Sequence, residues 1–329
     1  MGIGGSSDPT TNLLPYALAR HPIPLPPSPV PRPPMYEDFV AFRKTLPRTP
    51  RLARQTVRAR GVDFAVFTSP PVGSAPPIVC VNGGLLYDHS MLWPALSPLA
   101  INRQVILYDQ RGRGGSSAPS NPEDASIDDD AADVGALRRA LGIRRWDLLG
   151  HSWGGGISML AAAQDHSAIR RLVLVDPVWP TSAWMPVLRK AVLERLHGAQ
   201  REAVAEIPES ALASPDPELH SRYSRAVYAA WFADSEMARH FRPPEATSIT
   251  GAAVLARLRR DGYDWSETLR SLSAPTLVIH GDLDPLPLAD PPMKSYIPRD
   301  AHVVVVPSSG HMPFWEAPAR FFSLIESFL

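Results

Sequence analysis

The sequence has a single cysteine, little lysine and no net charge. Cys80 has no intramolecular partner, which excludes a disulfide within the chain. Because it lies in the apolar run from Pro77 to Val81, we expect a buried strand thiol rather than a nucleophile. The formal net charge is +0 and the sequence pI is about 7.2, so there is no electrostatic reason to expect nucleic acid or an anionic membrane surface as a partner.

Long apolar runs and metal-ligand spacings are also missing. No stretch approaches the roughly 18 consecutive apolar residues that span a bilayer, and no basic segment followed by an apolar region opens the chain. We therefore expect a soluble, cytoplasmic protein. The sequence lacks His-Glu-x-x-His, paired-cysteine and calcium-loop spacings. The predicted site accordingly uses neither a metal nor a cofactor.

Proline, in contrast, is abundant and concentrated near the N-terminus. The chain has 37 prolines, and eight of them lie between Pro22 and Pro34. Such a composition sustains neither a helix nor a sheet ladder. We predict that residues 1–50 form a largely irregular, proline-rich arm. Its role and the oligomeric state of the protein stay open.

From about residue 51, short apolar segments alternate with helical patterns. This alternation predicts a mostly parallel central sheet flanked by helices. In such sheets ligands bind at the carboxyl ends of the strands, so the loops that follow the strands are where chemistry is expected. The predicted strands are Val62 to Phe67, Pro77 to Val81, Val105 to Tyr108, Trp146 to Leu149, Leu172 to Val175, Thr276 to Ile279 and Val303 to Val306.

About a hundred residues without a strand pattern separate Val175 from Thr276. Helical patterns cover Trp184 to Ala205, Leu219 to Ala233 and Ile249 to Arg260. A segment of this length is too long for a simple connection. It predicts an inserted helical cap, residues 179–268, over the strand ends of a core formed by residues 51–178 and 269–329.

A candidate nucleophile lies in Gly150-His151-Ser152-Trp153-Gly154. The pentapeptide Gly-x-Ser-x-Gly would arise by chance in roughly one chain of this size in ten. Here, however, it follows an apolar strand and precedes the helix-forming run from Ile157 to Gln164. The glycines let the backbone turn sharply and present the serine hydroxyl at a helix N-terminus. This context predicts Ser152 as the nucleophile.

A serine nucleophile requires a histidine base and normally a carboxylate behind it. His311 lies in the loop after the last predicted strand and is the candidate base. Asp284 is the favoured acid, because it lies far enough beyond its strand to reach toward His311. Asp282 and Asp176 remain alternatives for the acid. The order serine, aspartate, histidine fits this arrangement.

Acyl transfer also requires two amides directed at the oxyanion. Trp153, the residue after the nucleophile, supplies the first, and the loop from Val81 to Leu86 supplies the second through Gly84 or Leu85. Three tryptophans of the predicted cap indicate a binding site for an apolar acyl or aromatic substrate: Trp179, Trp184 and Trp231.

Four segments together resemble the lid-bearing α/β-hydrolases that are grouped with proline iminopeptidases, over about residues 55–329. The segments are Asn82-Gly83-Gly84 with Asp88-His89, Tyr108 to Ser116, Gly150 to Gly155 and Gly310 to Phe314. The resemblance implies an α/β-hydrolase fold with an inserted cap. It also implies that Asp109 and Arg111 stabilise their own loop.

The resemblance gives less support to the peptidase activity of that group. Iminopeptidases usually have His-Gly-Gly-Pro-Gly and Gly-Gly-Ser-Trp-Gly, whereas this chain has Asn82-Gly83-Gly84-Leu85-Leu86 and Gly150-His151-Ser152-Trp153-Gly154. The glutamates of the predicted cap, Glu202, Glu206 and Glu209, have no clear counterpart among the amine-binding glutamates of that group.

The sequence therefore predicts a serine hydrolase that acts on a small-molecule acyl substrate, cleaving an ester, thioester, lactone or amide through an acyl-enzyme on Ser152. An iminopeptidase-type aminopeptidase is one alternative. A non-catalytic ligand receptor and a biosynthetic acyltransferase or cyclase on the same fold are the others.

Overall fold

The computed structural model describes residues 36–288, 295–298 and 300–329. Eight strands form one sheet in the order β1-β2-β4-β3-β5-β6-β7-β8. β2 pairs antiparallel with both of its neighbours, β1 and β4, and the pairs among β3 to β8 are parallel. The strands are Ala53–Ala59, Val62–Thr68, Ile78–Val81, Val105–Tyr108, Trp146–His151, Ile169–Val175, Thr276–Gly281 and His302–Val306.

The strand side chains alternate between two hydrophobic clusters, one on each face of the sheet. In β3, Val79 and Val81 belong to one cluster and Ile78 and Cys80 to the other. Cys80 is 1% exposed, as predicted for a strand thiol. Both faces are covered because successive side chains of a strand point to opposite sides. The predicted fold class, a mostly parallel sheet flanked by helices, is confirmed.

The first strand, β1, was not predicted from the sequence. Most of its side chains are exposed, among them Arg54, Gln55 and Arg58, so it has no apolar run. It pairs along its whole length with β2 at the edge of the sheet. An edge strand of this kind is stabilised by the ladder rather than by burial.

Ten α-helices accompany these strands in the described part of the chain, none of them long and apolar enough to cross a bilayer. Capping fixes where several begin; α2, for example, starts after Ser126, whose hydroxyl accepts a hydrogen bond from the Asp129 amide. The helices α1 to α10 are Tyr36–Lys44, Ile127–Ala140, Trp153–Gln164, Trp184–Arg195, Gly198–Ala205, Pro217–Val227, Ile249–Asp261, Ser266–Leu269, Pro313–Glu316 and Pro318–Phe328.

Helix α1 corrects part of the irregular arm predicted for residues 1–50; residues 1–35 of that arm lie outside the described residues. The helix has acidic side chains in its first turn and Arg43 and Lys44 in its last, which complements the helix dipole. Phe42 stacks on Phe322 of α10, with ring centroids 5.8 Å apart. This contact with the core stabilises α1, a helix too short to be predicted from its sequence pattern.

Between β6 and β7 lie α4 to α8 with short 3-10 turns, and we call residues 179–268 the helical insertion. Two of its predicted helices are shorter than expected. The pattern from Trp184 to Ala205 breaks at Leu196 and His197, where Leu196 adopts an extended conformation. The pattern from Leu219 to Ala233 ends as an α-helix at Val227 and continues as a 3-10 turn.

One buried ion pair links the loop after β4 to α2. Arg113 is 0% exposed, and its guanidinium donates two hydrogen bonds of 2.9 Å to the Asp130 carboxylate. The same side chain donates from Nε to the Leu85 carbonyl at 2.7 Å. Burial raises the pKa of Asp130 to about 6. Arg113 therefore supports the loop that carries Gly84 and Leu85.

Replacing Arg113 with Met should lower the free energy of unfolding at pH 8 by about 3–5 kcal/mol, because Asp130 would be left as an unpaired buried charge. Urea denaturation monitored by circular dichroism measures this. Arg270→Met is the control, since Arg270 forms an exposed pair with Glu267 and should shift stability by less than about 0.5 kcal/mol. Equally small effects of both changes would show that the buried pair contributes no more than a surface one.

Candidate active site

Ser152 occupies a strained turn between β5 and α3. Its φ of 55° and ψ of −122° put a non-glycine residue in the left-handed half of conformational space. A side chain at Gly154 would collide with the Val81 carbonyl, and one at Gly150 would collide with the Gly154 carbonyl. The glycines therefore let the turn lie against β3, and Ser152, 8% exposed, faces a cavity at the carboxyl end of the sheet.

His311 follows β8 and is paired with Asp284, which follows β7. His311 donates from Nδ1 to Asp284 Oδ2 at 2.7 Å, and Asp284 Oδ1 accepts a hydrogen bond from the Leu286 amide at 2.8 Å. Burial opposes ionisation of Asp284, but the charge and the hydrogen bond of His311 outweigh it and hold the pKa of Asp284 below its usual value. With Nδ1 protonated, Nε2 of the neutral imidazole is the nitrogen that can accept a proton.

The loop that carries His311 is tied to the helical insertion. The His311 amide donates a hydrogen bond to the Trp231 carbonyl at 2.7 Å. Glu316, buried in α9, accepts hydrogen bonds from the Gly310 amide at 2.9 Å and from the Ala233 amide at 2.6 Å. One carboxylate thus bridges the His311 loop and the insertion.

His151 lies beneath the candidate base. Its Nε2 donates to the His311 carbonyl at 2.9 Å. Burial, helped by the nearby charge of His311, lowers the pKa of His151 to about 3, so this ring is neutral at physiological pH. It therefore supports the loop instead of competing with His311 as a base.

The two alternative acids have other partners. Asp282 is exposed and accepts a hydrogen bond from the Ser309 amide at 3.2 Å. Asp176 is buried after β6 and accepts one from the Gly281 amide at 2.8 Å. Burial and the negative charge of Asp284 raise the pKa of Asp176 well above its usual value. Among the described carboxylates, Asp284 is the one bonded to the His311 ring.

The loop after β3 approaches the Ser152 turn closely. A Cβ at Gly83 would lie 2.7 Å from Ser152 Cβ. The next residue, Gly84, has a φ of 78°, lines the same cavity as Ser152 and Trp153, and packs under the Tyr87 ring. Within the described residues, neither the Gly84 amide nor the adjoining Leu85 amide has a hydrogen-bond acceptor. Of the two, Gly84 is the one on the cavity wall.

Ser152 and His311 share a cavity of about 110 Å³. Two of the three predicted substrate-binding tryptophans, Trp184 and Trp231, line it, and the ring of Trp231 lies 4.5 Å from that of His311. The third, Trp179, differs from the prediction, because it is not among the described residues that line this cavity. Its indole donates instead to the Pro287 carbonyl at 2.7 Å, which turns it toward the loop after β7.

Several lining residues were not singled out from the sequence. They lie on α6, in the 3-10 turn after it, on α7 or in the loop after β3, where ordinary helix and loop composition gives no signal of a site. They include Tyr87, His220, Tyr223, Tyr228 and Arg259. Glu316, which fixes the His311 loop, was missed for the same reason.

Asp109 and Arg111 stabilise the loop after β4, as expected. Asp109 Oδ1 accepts from the amide and Nδ1 of His89 at 2.9 and 2.8 Å, and its Oδ2 accepts from the Gly115 amide at 2.8 Å. Arg111 donates two hydrogen bonds of 2.7 Å to the Asp133 carboxylate. Both side chains therefore have partners within the protein.

Two groups of described side chains have ligand atoms close enough to hold a metal ion. They are Asp88, His89 and Asp109, and Asp176, His280 and Asp284. In the first group Asp109 already accepts three hydrogen bonds. In the second, Asp284 is bonded to His311. In each group, one carboxylate is therefore already bound by hydrogen bonds within the protein.

The chain belongs to the α/β-hydrolase family, because the family described as alpha/beta hydrolase fold matches residues 76–318. Within that family it is similar to proline iminopeptidases. It is 23% identical to the Proline iminopeptidase of Heyndrickxia coagulans over 269 residues, which cover 78% of this chain and 91% of that protein. It is 30% identical to the N-formylmaleamate deformylase of Pseudomonas putida over 236 residues, 68% of this chain and 78% of that protein. These hydrolase relatives support a hydrolytic enzyme.

Solved structures agree on the fold. The enol-lactonase from Burkholderia xenovorans LB400 aligns with a TM-score of 0.60 at 25% identity, covering 83% of this chain and 99% of that one. The crystal structure of VinJ aligns with a TM-score of 0.67 at 22% identity, covering 85% of this chain and 100% of that one. The predicted resemblance to the α/β-hydrolase superfamily is confirmed.

The raised pKa of Asp176 gives a testable dependence of stability on pH. Between the unfolded pKa and the raised folded pKa, the folded protein binds one proton more than the unfolded chain, so this side chain lowers the free energy of unfolding as the pH rises. Asp176→Asn keeps the hydrogen-bonding shape without titrating. We expect this variant to gain stability relative to the wild type as the pH increases from 5 to 8, measured by urea denaturation. A constant difference over that range would mean that Asp176 is ionised in the folded protein.

Proposed function

We propose that the protein is a serine hydrolase that cleaves an ester, thioester, lactone or amide through an acyl-enzyme on Ser152. His311 takes the Ser152 proton at Nε2 while the oxygen of Ser152 bonds to the carbonyl carbon. The same proton passes to the leaving group as its bond breaks. Water, deprotonated by His311, then releases the acid and restores Ser152.

The observation that carries this proposal is the 2.7 Å hydrogen bond from His311 Nδ1 to Asp284. It orients the imidazole, fixes the tautomer with Nε2 as acceptor and stabilises the imidazolium that forms during attack. His311 and Ser152 line one cavity, so the base and the nucleophile meet the same substrate. The strained Ser152 turn supports the role of nucleophile.

The amides of Trp153 and of Gly84 or Leu85 would hold the oxyanion. Trp153 opens α3, where the helix dipole also favours negative charge. Gly84 is the better second donor, because it lies on the cavity wall whereas the Leu85 side chain is fully buried below it. Preorganised amides of this kind commonly contribute a factor of about 10² or more to the rate.

The helical insertion would act as a cap over this site. Cavity-lining residues from the insertion include Trp184, Leu188, Tyr223, Tyr228 and Trp231. They face Ser152 and His311 from the opposite side and would exclude water from the acyl group. The small volume of the cavity favours a small-molecule acyl substrate.

Cleavage of an N-terminal proline is the second candidate, favoured by the similarity to proline iminopeptidases. A free amine would require carboxylates in the cavity. None of its described lining residues is Asp or Glu. The glutamates considered from the sequence, Glu202, Glu206 and Glu209, are exposed. The charge of the site thus favours esterase-type chemistry over aminopeptidase activity.

A fluorophosphonate probe tests the nucleophile. The wild-type protein should be labelled on Ser152, because the probe reacts only with an activated serine. Ser152→Ala should lose the label and the hydrolysis of 4-nitrophenyl acetate. Ser158→Ala, in the helix that follows but not among the residues lining the cavity, should keep both. Labelling that persists in Ser152→Ala, or a wild type that does not react, would contradict the proposal and favour a non-catalytic receptor.

The identity of the acid can be tested with two neighbouring carboxylates. Asp284→Asn should lower kcat by a factor of about 10³–10⁴, because the amide no longer stabilises the protonated base. Asp282→Asn should change kcat less than about threefold, since Asp282 is exposed and only holds the Ser309 amide. Steady-state kinetics with 4-nitrophenyl acetate measure both. A larger loss in Asp282→Asn would reassign the acid.

A further inference from the structure

Arg259 lines the cavity that holds Ser152 and His311 and has no ion-pair partner within the described residues. It lies on α7, and its Nη1 atom is buried without a hydrogen-bond partner. Its guanidinium carbon lies 5.8 Å from the centre of the Tyr223 ring. Its neighbour Arg260, in contrast, is exposed and paired with Asp261 at 2.9 Å.

Burial lowers the pKa of Arg259. Arginine side chains nevertheless stay protonated in proteins, so the guanidinium is charged. Glu209 is near enough to attract the charge of Arg259 electrostatically. Glu209 is exposed, however, and makes no ion pair with Arg259. Arg189, a second cation nearby, opposes rather than compensates the charge. Arg259 is half-buried, and its buried Nη1 has no hydrogen-bond partner and its guanidinium no counterion among the described residues. A bound anion would complete such a site.

A second cavity of about 330 Å³ adjoins the first. The residues that line both are Trp184, Leu188, Tyr223 and Arg259. Arg259 thus lies at the junction of the two spaces, where a group attached to a substrate near Ser152 can reach it. The aromatic and aliphatic side chains beside it exclude water and strengthen the attraction between Arg259 and an anion.

We propose that the substrate carries a carboxylate that Arg259 binds, so that the protein acts on half-esters, half-amides or lactones derived from dicarboxylic acids. This inference rests on the proposed function, in which Ser152 attacks the acyl carbon. Since a cavity of about 150 Å³ holds benzene, a space of 110 Å³ beside Ser152 selects a short spacer between the acyl carbon and the carboxylate. Arg259 would then be a specificity-determining residue rather than part of the reacting triad.

The test compares two ethyl esters of matched shape in the full-length protein. Monoethyl succinate carries the carboxylate, and ethyl 4-methylpentanoate replaces its two oxygens by methyl groups. We expect the wild type to favour monoethyl succinate by a factor of about 10–100 in kcat/KM, the size expected of a hydrogen-bonded charge. Arg259→Gln should abolish this preference, and Arg259→Lys should retain part of it. Released ethanol measures both reactions.

Arg260→Gln is the matched control and should leave the ratio of the two rates unchanged, because Arg260 is exposed on the outer side of the same helix. A wild type that hydrolyses both esters equally well would overturn the carboxylate site while leaving the Ser152 mechanism intact. So would an Arg259→Gln variant that slows both esters by the same factor, since that would indicate a packing role beside Tyr223.

A binding measurement tests the site without catalysis. Succinate should bind to Ser152→Ala, detected by titration calorimetry, and neutral succinamide should not. Adding Arg259→Gln should weaken succinate binding at least tenfold, the usual worth of a charged hydrogen bond. If Ser152→Ala does not bind succinate, the carboxylate site is wrong; if it binds but the wild type hydrolyses neither ester, the proposed hydrolysis is wrong instead.

Discussion

The turn at Ser152 depends on how closely two loops approach each other. Because Gly154 has no side chain, its backbone lies against the carbonyl of Val81 at the end of β3. Gly83, in the loop after that strand, lies close to Ser152, with room for no Cβ between them. This contact brings Ser152 close to the loop whose amides would face the oxyanion in the proposed hydrolysis. It is also consistent with the strained φ of Ser152, since close packing against the end of β3 can offset the local cost.

The parts of the fold and site that could be predicted are those whose signal lies in a short, continuous stretch of sequence. A buried strand such as β3 is a short apolar run, and the turn at Ser152 has its glycines within two positions of the serine. His311 and Asp284 follow strands, so the parallel sheet brings them to one edge. Both candidate acids follow β7, but Asp284 lies farther from its end and reaches the His311 ring, whereas Asp282 comes directly after the strand and is exposed.

What could not be predicted depends on contacts between distant segments. Helix α1 is stabilised by Phe322, nearly three hundred residues away, and β1 by its ladder with β2. That Arg259 has no ion-pair partner among the described residues is a property of the folded cavity, since in sequence it is one of three similar helix arginines, Arg257, Arg259 and Arg260. Trp179 illustrates the opposite error: a tryptophan near a site can serve packing, and here it binds the Pro287 carbonyl.

Glu316 has a consequence for how such an enzyme would operate. Its carboxylate holds an amide of the His311 loop and an amide of the helical insertion at once. Any displacement of the insertion that admits a substrate must therefore break or stretch a hydrogen bond that helps to position the base. If the insertion acts as a cap in the proposed hydrolase, opening it would therefore loosen the loop that positions the imidazole. Proton transfer would then be efficient only after the insertion had closed over the bound substrate.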